Sequence, residues 1–470
     1  MSVVSNPLAP GWLSAPGDAN ALHSGIWPAS MRRDDTGALE VGGVAVTELI
    51  ERYGSPLYVF DQDDLTSRAQ SVQAAVSAAC ARHGITGSVY YASKSFISGH
   101  VVSWIEDAGL GFDVASAGEM AIALAGGANP DHLEFQGNNK SEDEIAQAMS
   151  AGVSTIVIDA PIEAARIQAI ASAMDTRQKV MIRVNTGVHA DTHDYLATAR
   201  EDQKFGLSPE EAIALVSVIR DSSHLDFVGL HSHIGSQIFR TEGFLEAATR
   251  MVQAYQQVRR EGEAFTLNLG GGFGIAYTEA DEPMELAHLI DTIVDHVAAL
   301  CTTEGLPIPN LAFEPGRVIS GPAGVTLYTV GVTKPVTVHE GDQVATRLYV
   351  SVDGGMSDNA RPALYGANYS ARIASRTSSE SPALVRVVGK HCESGDIVVN
   401  AEYLPGDVAP GDVLAVAATG AYCYSLSSNY NVVGRPPVVA VSGGSSTLMV
   451  AGETLDDVLA RDQGLSRGQG

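Results

Sequence analysis

Eight short apolar runs recur between residues 88 and 314, and their spacing limits the fold more than any other feature. They are SVYYA (88–92), GFDVA (111–115), HLEFQ (132–136), STIVID (154–159), KVMIRVN (179–185), LDFVGLH (225–231), FTLNL (265–269) and NLAFE (310–314). Each has the length of a buried strand. Between most of them lie segments with apolar residues at helical spacing. Two of these carry their own start signals. Ser141 precedes Glu144 in SEDEIAQAMSAG, and Ser208 precedes Glu211 in SPEEAIALVSVIRD, the pattern of a capping box. Alternation of strand and helix predicts a parallel sheet. Eight units of this size predict a closed (β/α)8 barrel of the TIM type rather than an open sheet.

Outside the runs the texture differs. Residues 1–48 are rich in Pro, Gly and Ala and read as an arm with one or two short strands. From Asp64 a helical pattern runs to a closing Gly84. After Arg317, runs such as GVTLYTVGVTK, RLYVSVDGG, ALVRVVGK, DIVVNAEYL and DVLAVAATGAY are alternating or β-branched, with Gly and Pro between them. They predict an all-β domain, a barrel or sandwich. The expected organisation is an arm (1–48) packed with the β domain, the barrel (49–317), and the β domain (318–470). The stretch from Glu453 to Gly470 is expected to be a short helix and a frayed tail.

Composition removes some functions. The net charge of −26 over 470 residues argues against nucleic acid or an anionic membrane as partner, since phosphate demands a basic face. Any anionic ligand must be held locally, by arginines, lysines or backbone N–H groups. No apolar run approaches the ~20 residues of a membrane span. The start, MSVVSNPLAPGWLSAPGD, lacks the basic and apolar regions of a signal peptide. A cytoplasmic location is expected. Cys80, Cys301, Cys392 and Cys423 form no CxxC pair, so thiols rather than a zinc or redox dithiol site are expected.

In such barrels the chemistry sits where strands end. Lys94 follows the first run, in YASKSF. Ser116 and Glu119 follow the second, and Gly137-Asn138-Asn139-Lys140 the third. His233 and Ser236 follow the sixth, in HSHIGSQ. Gly270-Gly271-Gly272 follows the seventh. Glu314, Pro315, Gly316 and Arg317 follow the eighth. A turn without Cβ atoms can bring backbone N–H groups against a phosphate. His231 and His233 form an HxH pair that could instead ligate a metal, with Glu314 and Asp159 as further ligands, as in a metal-dependent barrel hydrolase. A nearby lysine and arginine would compete for those carboxylates. Lysine, phosphate turn, imidazole and buried carboxylate share a simpler denominator, pyridoxal 5′-phosphate. Lysine forms its Schiff base. Glycines hold its phosphate, a carboxylate keeps its ring nitrogen protonated, and an imidazole stacks on its face. No metal is needed.

The strings YASKSF, GFDVASAGEM, QGNNKS, RVNTGV, EDQKFG, GLHSHIGSQI, LNLGGGFGIAY, EPGR, DGGMSDNARPALYGA, GKHCESGD and TGAYCYSLSSNYN, in this order, resemble the diaminopimelate decarboxylase family of barrel (fold type III) pyridoxal phosphate enzymes. The resemblance covers roughly residues 50–435. It implies Lys94 as the Schiff-base lysine rather than Lys140, and His233 stacked on the ring. It implies that Ser236, Gly270, Gly271, Gly272, the backbone of Glu314, Pro315, Gly316 and Arg317, and Tyr422 hold the phosphate. It further implies that Glu314 faces the ring nitrogen, that Arg317, Arg361 and Tyr365 bind substrate carboxylate with Tyr422 also lining the substrate, that Cys392 is the proton donor, and that Glu393 binds the distal amino group. In the family these last two come from the neighbouring subunit of a homodimer. The implied reaction is decarboxylation of meso-2,6-diaminopimelate to L-lysine. Decarboxylases of ornithine and arginine are the alternative. Arg361 suits a second carboxylate and repels a cationic tail.

Overall fold

The structure is a computed structural model, and it describes residues 6–188, 204–263, 265–340 and 343–465. The eight runs form a closed parallel barrel. Its strands are β1 (Gly87–Ala92), β2 (Gly111–Val114), β3 (Leu133–Phe135), β4 (Thr155–Ile158), β5 (Gln178–Arg183), β6 (Leu225–His231), β7 (Thr266–Asn268) and β8 (Asn310–Phe313). They pair in sequence order. The ring closes where Leu311–Phe313 of β8 meets Gly87–Val89 of β1. Every residue of β2, β3 and β4 is buried. Helices cover one face of such a sheet and the filled barrel interior the other, so these strands show no polar alternation. The helices Glu142–Ala151 and Pro209–Arg220 open with complete capping boxes at Ser141 and Ser208.

The chain divides into two compact units. One comprises residues 66–274 and 283–319 and holds the barrel; the other comprises 1–65, 275–282 and 320–470. The second is built on a nine-stranded sheet. Its spine is the strand Gly324–Glu340. Residues 324–327 pair with Leu57–Phe60, and 326–329 pair on the other side with Val413–Val416. Past an irregularity between Val330 and Val332, the same strand turns to pair with Gln343–Val352. Val438–Val441 flanks Leu57–Asp61 in parallel register.

The division departs from the sequence reading of a barrel over 49–317. Residues 275–282 belong to the β unit and residues 318–319 to the barrel. As the largest change, residues up to Leu65 belong to the β unit. The reason is LYVFD, residues 57–61. All five residues are buried, because the strand is central, with a neighbour on each edge. Leu57 and Val59 share a core with Leu39, Val41, Val46 and Leu49 from the N-terminal segment and with Val325, Leu327 and Val439. The short helix expected near the C-terminus is Leu455–Leu459. Residues 201–203 of EDQKFG and the end of the tail, 466–470, lie outside the described residues.

Candidate active site

Lys94 lies just past β1, in the 3-10 turn Ser93–Ser95. Ser93 and Ser95 are buried while Lys94 is exposed. The turn is pinned from below. Ser95 Oγ lies 2.8 Å from Ala92 O and 2.9 Å from Tyr91 Oη, and Tyr91 Oη donates to Phe96 O. Ala92 N–H donates to Pro315 O at 3.1 Å, tying the turn to the EPGR segment. Lys140, the other lysine at a strand end, is buried. Its Nζ donates to Gly137 O, Val157 O (both 2.6 Å) and Glu163 Oε2 (3.1 Å). Those three acceptors engage all its hydrogens. Lys140 braces the loop after β3 and has no proton left for a ligand.

Glu314 follows β8 and is 4 % exposed. Its Oε1 accepts three hydrogen bonds: from Gln136 Nε2, from Asn268 Nδ2 at 2.7 Å, and from His231 Nε2 at 2.9 Å. Burial alone would push this carboxyl up. The neighbouring His231 imidazole with its hydrogen bond, and the bond from Gln136, outweigh it and hold Glu314 at about 2. The carboxylate is therefore ionised at neutral pH, with Oε1 saturated and Oε2 outside that set.

His233 lies two residues beyond β6. Its Nδ1 accepts from Gly271 N–H at 3.2 Å, so that nitrogen carries no proton. Burial, with Lys94 and Arg183 beside it, holds the ring well below the usual histidine range. It is a neutral imidazole. Ser236 Oγ accepts from Arg317 Nη2 at 2.7 Å.

The glycine turn differs in detail from expectation. The N–H of Gly270 is bonded to Asn268 Oδ1 at 2.9 Å and that of Gly271 to His233 Nδ1. Of the three, Gly272 N–H is the one not bonded among the described residues. The glycines are required first by close packing. A Cβ on Gly271 would sit 2.0 Å from Glu314 O, and one on Gly270 2.4 Å from Ser232 O. The turn thus lets the loops after β6, β7 and β8 meet without side chains between them.

The HxH pair finds no third ligand among the described residues. His231 Nε2 faces Glu314, His233 Nδ1 accepts from Gly271 N–H, and Asp159 Oδ1 accepts from Gly206 N–H. Among the described residues no group of three or more His, Cys, Asp or Glu could hold a metal. His231 ends the strand, fully buried, while His233 stands past it and only partly buried.

Gln136, Asn268, Asp113, Glu134 and Arg183 were missed by sequence reasoning. All sit on or next to barrel strands. Burial, then the charge of Glu314, pushes Asp113 and Glu134 well above the carboxylate range. The available signal was a polar residue inside a run otherwise read as apolar: Asp in GFDVA, Glu and Gln in HLEFQ, Asn in FTLNL.

Five further candidates lie in the β unit. Arg361 opens the helix Arg361–Tyr365 and is 6 % exposed. Its Nη1 donates to Tyr369 Oη, and its guanidinium lies 4.7 Å from the centroid of the Tyr277 ring. Tyr365 is 66 % exposed. Tyr422 takes a left-handed backbone, φ 63°. Cys392 and Glu393 are exposed on a loop. Asn431 Oδ1 fixes that loop, accepting from Cys392 N–H at 3.1 Å, with His391 Nδ1 3.3 Å away.

Comparison with known proteins now decides the family. Residues 64–321 match the model of the pyridoxal-dependent decarboxylase, pyridoxal binding domain. Diaminopimelate decarboxylase of Mycobacterium tuberculosis is 46% identical, covering 93% of this chain and 98% of that protein. The chain belongs to the diaminopimelate decarboxylase family. The Bacillus subtilis member is 41% identical, over 92% of this chain and 96% of its own. The solved M. jannaschii diaminopimelate decarboxylase in complex with L-lysine aligns with a TM-score of 0.84 at 30% identity, covering 92% of this chain and 98% of that one. Pyridoxal 5′-phosphate is the cofactor of this family, and the barrel rim fits it. An exposed lysine, a buried carboxylate held ionised, a neutral imidazole, and a glycine turn beside a serine–arginine pair all lie at the strand ends.

Proposed function

We propose that this chain decarboxylates meso-2,6-diaminopimelate to L-lysine and CO2, the last step of lysine biosynthesis. The observation that carries the reading is Glu314, buried yet held ionised by three donors on one oxygen at the rim that bears Lys94. A charge so carefully kept in a barrel interior has a cationic partner to meet.

Bound pyridoxal phosphate supplies an electron-accepting ring that takes up the electron pair of the breaking Cα–carboxylate bond. Lys94 Nζ tethers the cofactor. Glu314, ionised, retains a proton on the ring nitrogen by charge pairing. His233, neutral, offers an uncharged face to the ring. Gly272 N–H, Ser236, the EPGR backbone with Arg317, and Tyr422 hold the phosphate. Arg317, Arg361 and Tyr365 bind the substrate's carboxylates, and Glu393 its distal ammonium. Cys392 Sγ–H delivers the proton that replaces the departing carboxylate, and the thiolate regains one from water. Arg361 gives the specificity: a guanidinium suits a second carboxylate and disfavours the cationic tails of ornithine and lysine. We further propose a cytoplasmic homodimer in which Cys392 and Glu393 serve the neighbour's site, as the family resemblance implies.

The test is CO2 release from meso-diaminopimelate, L-lysine and L-ornithine by the purified, pyridoxal phosphate-loaded protein. Turnover confined to diaminopimelate is expected. Equal turnover of ornithine would sink the specificity argument.

A further inference from the structure

Asn268 is fully buried at the end of β7, and every hydrogen-bonding group of its amide points at something. Its Nδ2 donates to Glu314 Oε1 at 2.7 Å and to Glu134 Oε2 at 2.8 Å. Its Oδ1 accepts from Gly270 N–H at 2.9 Å. A backbone N–H can only donate, so the amide oxygen must face Gly270 and the nitrogen must face the two carboxyls. The orientation is fixed by chemistry. The two amide hydrogens are divided between two carboxyl groups on different strands, and neither can be released without leaving a buried group unpaired.

We infer that Asn268 is a positioning residue that couples Glu314, the carboxylate that would pair with the cofactor's ring nitrogen, to the glycine turn that would hold its phosphate, with Glu134 as the anchor that fixes its rotamer. The inference rests on the roles proposed above for Glu314 and the glycine turn. A shift of Glu314 that changes the Oε1–Nδ2 distance turns the amide. The same amide holds the first N–H of the glycine turn. Ring and phosphate contacts are thereby set together rather than independently. Glu134 takes the second hydrogen, so the amide cannot swing away from Glu314 toward another acceptor.

The test uses the cofactor-free form of the full chain and two probes, pyridoxal 5′-phosphate and inorganic phosphate. Asn268→Leu removes both arms. It is expected to weaken pyridoxal phosphate about 10- to 100-fold, the scale of a lost charge-assisted hydrogen bond, and to weaken inorganic phosphate as well. Asn268→Asp keeps an oxygen for Gly270 and loses the paired donors. It should lose pyridoxal phosphate affinity but retain affinity for inorganic phosphate. Glu314→Gln should weaken pyridoxal phosphate and, because the amide then turns, inorganic phosphate as well, though less than Asn268→Leu does; inorganic phosphate affinity unchanged in Glu314→Gln would overturn the coupling. In Asn268→Asp/Glu314→Gln the loss should be smaller than the product of the single losses. Multiplying losses, or inorganic phosphate affinity unchanged in Asn268→Leu, would overturn the coupling. Should Asn268→Leu fail to fold, Asn268→Asp and its double variant decide alone. If Glu314→Gln binds pyridoxal phosphate with native affinity and visible spectrum, the role of Glu314 falls, a result distinct from a failure of Asn268.

Discussion

Burial acts on Glu314 and Glu134 in the same direction, and the two differ only in what surrounds them. Glu314 collects three donors on one oxygen and stays ionised. Glu134 is buried beside that charge and is pushed up. A carboxyl raised in the fold binds a proton that the unfolded chain releases above its ordinary range near pH 4. Stability is then lost as pH rises from that range toward the folded value. Glu134→Gln, which cannot ionise, should therefore melt higher than the wild-type apoprotein at pH 7–8, with the gain vanishing near pH 4. Calorimetry across that range checks it; a pH-independent difference would mean that Glu134 is ionised in the fold. Two further substitutions act on turnover. Lys94→Ala should abolish it, since Lys140, the other lysine weighed at a strand end, spends its hydrogens on Gly137, Val157 and Glu163, and should remove the borohydride-sensitive visible band. Arg361→Ala should lower kcat/KM for diaminopimelate by about 2–4 kcal/mol, the cost of losing a buried charged pair, with discrimination against lysine relaxing in parallel.

At the scale of elements, all eight barrel strands were legible as apolar runs, and the capping boxes marked two helix starts to the residue. Two things were not legible. LYVFD has the same fully buried character as a barrel strand, and burial alone does not say which sheet buries it. The polar layer of Asp113, Glu134, Gln136 and Asn268 is hidden for the opposite reason: apolar content marks a run as a strand, and a single polar residue within it carries no period of its own. The glycine turn was recognised, but its first cause is the 2.0 Å approach of the Gly271 Cβ position to Glu314 O. Lys140 shows how a loop is braced. Lys140→Ala leaves the buried carboxylate of Glu163 with backbone donors only, from residues 140 and 159, and should cost about 3 kcal/mol of stability, the lower end for a broken buried ion pair, measured by denaturant titration. The visible band tethered by Lys94 should persist in the folded fraction. Its disappearance there would return Lys140 to candidacy.

For the whole molecule, the candidate residues fall into two groups, Lys94 to Arg317 on the barrel and Arg361 to Tyr422 in the β unit. If each site draws Cys392 from the neighbouring chain, Lys94→Ala and Cys392→Ala should complement. Each homodimer alone should be nearly inactive. Random subunit exchange makes about half the dimers mixed, each with one intact site, so activity should recover to about a quarter of wild type. Verified exchange without recovery would make each site the work of a single chain.

Leu57–Asp61 pairs with residues 324–327 on one edge and 438–441 on the other. That pairing has a meaning in time. At ~5–20 residues per second, synthesis reaches Val438 roughly 20–75 seconds after Asp61 has been made. For that interval the ribosome carries an apolar strand whose second edge has no partner in existence. The strand is a natural client for a holdase, and any product terminated before Val438 keeps that edge open for good.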